Sequence, residues 1–211
     1  MASYEAFLSR VLPDVTGCPE LVALQAIKDA AIEFCEKSHV YQQDLDPMTA
    51  IKAISEYDLE APTGYVVARV MSAWFNNEKL EPAAPDMLRV PDAYRLTAGQ
   101  SQPKFYFQKT AKTVTLLPVP DQNTPSAITI RAALKPSRIS ESVDDEIYEE
   151  YAEVIAHGAK YRLMLSPGKS YSNQANAAVE KGLFESGINK ARARANSGYV
   201  RSTMSVKLRR I

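Results

Sequence analysis

The chain has 211 residues, 45% apolar and 24% charged, which suits one or two domains around a real core and excludes disorder or collagen. Its 25 Lys and Arg balance its 25 Asp and Glu, so no global charge draws the whole protein to nucleic acid or an acidic membrane. No apolar run approaches the roughly 20 residues of a membrane span, and residues 1–5 lack the basic start of a secretory signal. The chain is therefore expected to be soluble and to stay in the cytoplasm. Cys18 and Cys35 are too few for a disulfide scaffold and too far apart for a Cys-x-x-Cys site, so both are expected to be reduced, buried small hydrophobes.

In chain order, a short helix is expected around Tyr4 to Leu12, stopped near Pro13. Thr16-Gly17-Cys18-Pro19-Glu20 reads as a helix start, because Pro is tolerated in the first turn and a carboxylate there complements the dipole. Leu21, Leu24, Ile27, Ala31, Phe34 and Cys35 then recur every three or four residues, the pattern of an amphipathic helix. From about Tyr41 to Lys135, β-branched and aromatic runs alternate with Pro, Gly and Asn. Tyr65 to Met71 is a strand, Asn76-Asn77 a turn, and Lys104 to Gln108 with Thr113 to Leu117 a hairpin. Ile128, Ile130 and Ala132 alternate with Thr129 and Arg131 as in a half-buried strand. The pseudo-repeat of Pro85 to Val90 and Pro91 to Leu96 has two copies and reads as consecutive turns.

After Pro136 the helical period returns. Ser142 to Asp145 reads as a capping box, followed by a stripe of Ile147, Tyr151, Val154, Gly158, Tyr161 and Leu165. Pro167-Gly168 breaks that helix, and a last one starts near Ser172-Asn173, carries Leu183, Phe184, Ile188, Ala191 and Ala195, and ends at Gly198. Neither end of the chain buries its stripes alone. The expected fold is therefore α+β, a helical bundle of the N-terminal and C-terminal helices with an inserted antiparallel β lobe. The expected domains are 1–40 with 138–198 as the bundle, 41–137 as the β insertion, and 199–211 as a basic arm.

Catalytic patterns are nearly absent: there is no Gly-rich phosphate loop, no Gly-x-Ser-x-Gly and no His-Glu-x-x-His. Glu153 and His157 share a helical face, but a third metal ligand is missing, so His157 reads as an interfacial or core histidine. His39, just past a helix end, is expected to bond a terminal carbonyl or complement the dipole. Ser166 and Lys169 match the Ser-x-x-Lys spacing of acyl-transferring serine enzymes, but the intervening Pro167 and Gly168 favour a turn. The acidic run Glu141, Asp144, Asp145, Glu146, Glu149, Glu150 and Glu153 is expected to complement a helix N-terminus rather than to hold a cation. No catalytic residue, cofactor or metal is expected.

Charge is unevenly spread. From Lys190 to Ile211 there are seven basic residues and no acidic one, leaving 18 basic against 25 acidic residues in the rest. Beyond Gly198 the segment also carries Tyr199, Val200, Met204, Val206, Leu208 and Ile211, too apolar for a purely solvated tail. Arg192, Arg194, Tyr199, Arg201, Lys207, Arg209, Arg210 and Ile211 are the expected contact residues of an arm that docks on an acidic surface. The alternative is a DNA-binding module using the same basic segment.

Three stretches carry a family resemblance: Ala26 to Ser38; Ala133 to Arg138 with Tyr148 to Tyr151 and Ala156 to Ala159; and Pro167 to Asn173 with Phe184 to Ile188. In these the chain resembles the head-to-tail adaptor proteins of short-tailed bacteriophages, the tail tubular protein A type. The resemblance implies a structural virion protein without enzymatic activity, assembled in the host cytoplasm. It implies a ring of typically twelve copies beneath the portal protein, presenting its other face to the tail nozzle protein. It also implies that DNA passes through the lumen without sequence specificity, and that there is no membrane partner.

Overall fold

A computed structural model describes residues 1–83 and 100–197 of the chain. The pseudo-repeat of 85–96 and the arm of 199–211 lie outside the described residues. The chain opens with strand β1 (Ala2–Ser3), a 3-10 turn (Tyr4–Phe7), helix α1 (Leu8–Val11) and a second 3-10 turn (Leu12–Asp14) with Pro13 in its first turn. Helix α2 (Glu20–Ser38) follows, with Pro19 extended ahead of it. It ends where His39 turns left-handed (φ 54°) and its N–H bonds the Cys35 carbonyl. The buried face of α2 is Ala23, Ala26, Ile27, Ala30, Ala31, Phe34 and Cys35. Leu21, expected on that stripe, is 81% exposed. The correction has a simple cause: small alanines set the packed face, and the larger Leu21 lies off it.

Strands β2 (Gln42–Asp44), β3 (Met48–Ala50), β4 (Glu56–Asp58) and β5 (Tyr65–Phe75) come next, then β6 (Glu78–Lys79), β7 (Glu81–Pro82), β8 (Phe105–Thr110), β9 (Thr113–Leu117), β10 (Thr124–Pro136) and β11 (Ser142–Val143). Asn76 and Asn77 both take positive φ (47° and 66°), the turn that joins β5 to β6 with Phe75 opposite Glu78. Helices α3 (Asp145–Met164) and α4 (Gln174–Ser197) close the described chain. Three sheets form, ordered β1-β11, β2-β10-β5-β6 with β3 also on β10, and β4-β9-β8-β7.

The fold is mixed α+β, but the expected helical bundle with an inserted antiparallel lobe does not hold. The two larger sheets are a second layer with their own core, centred on Val67, Val70, Ile128, Ile130 and Leu134 and extended by Tyr106, Val114 and Leu116. They include a half-barrel. One pair, β7 with β8, is parallel, and β1 with β11 places a two-stranded sheet beside the helices. The two layers share one strand. In β10 the consecutive residues Ala132, Ala133 and Leu134 are all buried, because the sheet core covers one face and α2 packs against the strand. Lys135 Nζ, 2.9 Å from Glu36 Oε1, ties the same strand to α2. Two bulges in the β5–β10 ladder, beside Ala132 and Leu134, sharpen the twist that wraps the sheet.

The expected capping box also shifts. Asp144, not Ser142, caps α3, its Oδ1 accepting from the Glu146 N–H at 3.0 Å. Ser142 is occupied in β11 opposite Ser3. The helical core runs through Phe7, Phe34, Ile147, Tyr151, Ile155, Phe184 and Ile188. Leu165 and Leu183, expected on the packed stripes, are 51% and 46% exposed. Cys35 is buried as expected, whereas Cys18 is only half-buried, at the turn ahead of α2.

Candidate functional site

The residues singled out for chemistry are scattered by the fold. Ser166 lies past the end of α3 with its Oγ 3.5 Å from the Arg162 carbonyl, and Lys169 sits in an exposed turn beyond Gly168 (φ 70°). No hydrogen bond joins them. Glu153 pairs with Arg10, while His157 Nδ1 meets Glu180 Oε2 at 2.5 Å between α3 and α4. His157 is therefore an interfacial residue, and its carboxylate partner is on the neighbouring helix rather than one turn away on its own. The acidic run is divided among separate contacts: Asp144 caps α3 and accepts from Tyr41 Oη at 3.3 Å, and Glu150 holds Arg194 at 2.9 Å. Among the described residues, no group of three His, Cys, Asp or Glu converges.

The helix ends carry the more informative electrostatics. Burial, together with the nearby Arg69 and Arg192 guanidinium groups, pushes the His39 imidazole below its ordinary range and so disfavours the cationic form at the C-terminal end of α2. That position is filled by Arg192, whose Nε and Nη2 donate to the Lys37 carbonyl at 2.9 and 2.7 Å. Arg192 and Arg194, expected as contacts to a partner, are thus both engaged within the subunit. Tyr199, Arg201, Lys207, Arg209, Arg210 and Ile211 lie outside the described residues. Beside α2, Glu33 bridges Lys37 at 2.5 Å and Arg162, which also stacks on Tyr161 with its Cζ 5.0 Å from the ring centroid. Burial alone would raise the Glu33 carboxyl, but Lys37 and Arg162 hold it below the usual carboxylate range.

The features that sequence reasoning missed are surfaces. Leu21 and Val22 (81% and 44% exposed) border a groove of about 380 Å³ shared with Gln25, Asp29, Arg162 and Ser166. Val179 and Leu183 (62% and 46% exposed) stand on the outer side of α4. The available signal was the departure of Leu21 and Leu183 from the stripes defined by Ala23, Ile27, Phe34 and by Phe184, Ile188, Ala191. No helix among the described residues is long and apolar enough to cross a membrane.

A family model described as SU10 adaptor protein matches residues 3–206, nearly the whole chain, helices and sheets alike. No curated protein matches the chain. The chain belongs to the SU10 adaptor protein family, in agreement with the resemblance of its helical segments to bacteriophage head-to-tail adaptors.

Proposed function

We propose that this protein is the subunit of a ring, typically of twelve copies, that docks beneath the portal protein and connects it to the tail nozzle while DNA passes through the lumen. The observation that carries the reading is the family match over residues 3–206, which makes the chain a phage structural adaptor with other head and tail proteins as its partners. A ring needs two different complementary faces on each subunit, because a heterologous contact closes only when one face meets another. Exposed apolar residues on two separate helices support that requirement.

In this reading the functional units are 1–40 with 138–198, the β-rich 41–137, and the basic arm of 199–211. Arg201, Lys207, Arg209 and Arg210 pair with carboxylates on the portal or a neighbouring subunit, while Tyr199 and Ile211 fill apolar pockets between them. Single exposed ion pairs contribute little, so attachment rests on several together and weakens with salt. DNA in the lumen meets the wall through phosphates alone, without base readout.

Co-sedimentation of the full chain with assembled portal, across a salt series, tests this function. Portal pulls the chain into the pellet at moderate salt and releases it progressively as salt rises. A chain that ignores portal but binds DNA with a steep salt dependence would replace this reading with the DNA-binding module.

A further inference from the structure

Three glycines interrupt α3 and α4, and two of them are explained within the subunit. A Cβ on Gly158 would lie 2.7 Å from the Phe184 ring, and one on Gly187 would collide with Val154, so both let the helices approach closely. Gly182 is different: a Cβ there would meet nothing within 4 Å. A glycine inside a helix costs about 1 kcal/mol relative to alanine, and nothing inside this subunit accounts for it at Gly182. At 100° per residue it sits among the exposed Ala178, Val179 and Ser186, a low-relief surface. Glu180 is turned to His157, and Lys181 pairs loosely with Glu185 on one flank of Gly182, so the other flank, with Ser186, Val179 and Leu183, is uncharged until Lys190.

A matching surface lies on α2. Leu21 and Val22 stand over the groove that Asp29 borders, and the ion pair of Asp29 with Arg138 is loose at 3.7 Å. Val22 and Asp29 are seven residues apart, as are Leu183 and Lys190, so each helix carries an apolar group and a charge about 10 Å apart along its axis. The charges are opposite. Ser170 donating to Thr16 at one end and Arg192 to Lys37 at the other make α2 and α4 parallel within the subunit. Helices inclined along a ring axis keep that sense in the next copy.

Resting on the ring reading above, we propose that the outer face of α4 around Gly182 packs against α2 of a second copy, Leu183 beside Val22 and Lys190 beside Asp29. The occupant is another copy because this chain carries both halves of the match. An isologous dimer would use one self-complementary patch, whereas two different faces on different helices continue from copy to copy.

The test uses the full chain, alone at high concentration and mixed with portal, with melting and sedimentation read on each variant. Gly182→Ala melts at or above the parent yet assembles more weakly, and Gly182→Glu stays folded and loses assembly. Asp29→Lys and Lys190→Asp each weaken assembly severalfold, and the double reversal restores it. If Gly182→Glu assembles like the parent, or the double reversal is no better than the single changes, this interface is wrong and the ring reading stands. If the parent itself remains monomeric alone and with portal, the ring reading falls and takes this interface with it.

Discussion

Replacing Gly158 with alanine sets two effects against each other. The gain in helix propensity is about 1 kcal/mol, since alanine restricts the unfolded chain and suits a helix interior. The loss is steric: the new methyl would sit 2.7 to 2.9 Å from three carbons of the Phe184 ring, distances real Cβ atoms essentially never show. Phe184 is 1% exposed, with the Tyr161 ring centroid at 5.9 Å and the Arg162 guanidinium carbon 5.8 Å from its own centroid, so the ring has no free direction in which to retreat. Overpacking of this kind costs about 1 to 3 kcal/mol, and the helices must separate or the ring leave its rotamer. The net expectation is a loss of up to about 2 kcal/mol, a fall in Tm of up to about 8 °C for a chain of this size. Calorimetry of parent and variant measures it. Adding Phe184→Leu to the alanine variant should cost less than Phe184→Leu alone, because the leucine leaves room for the methyl. An alanine variant that melts above the parent would refute the close approach of α3 and α4.

Phe34→Asp places a carboxylate in an apolar core where the side chain is 0% exposed and 5.0 Å from the Tyr151 ring, and should cost several kcal/mol in urea unfolding. Stability should also fall in acid. The Glu33 carboxyl is held below its ordinary value by Lys37 and Arg162, so its contribution is complete above about pH 4.5 and is lost as pH drops through the folded value. In Glu33→Gln that part of the acid dependence should disappear from denaturation curves recorded between pH 3 and 7.

Elements specified by neighbouring residues were legible in the sequence. The hairpin of β8 and β9, the Asn76-Asn77 turn, and the long periods of α2, α3 and α4 each follow from local chemistry. What escaped depends on partners distant along the chain. Ser142 reads as a cap until Ser3 pairs with it and leaves the task to Asp144. Arg192 reads as part of a contact arm until it reaches the Lys37 carbonyl, 155 residues earlier. The layering of the fold escaped for the same reason: nothing local to β10 shows that Ala133 is covered as well as Ala132 and Leu134. Leu21, Leu165 and Leu183 were misplaced because apolar periodicity marks a face to be buried without saying whether its own chain covers it. The family was legible from the helical segments, and the match over residues 3–206 extends it through the sheets.

The most direct test of the adaptor account is an image of the full chain bound to its portal. The account predicts a second ring stacked coaxially on the portal ring, with an open lumen and discrete subunits in cyclic order. Portal rings that remain bare, or that carry single subunits without cyclic order, would contradict it.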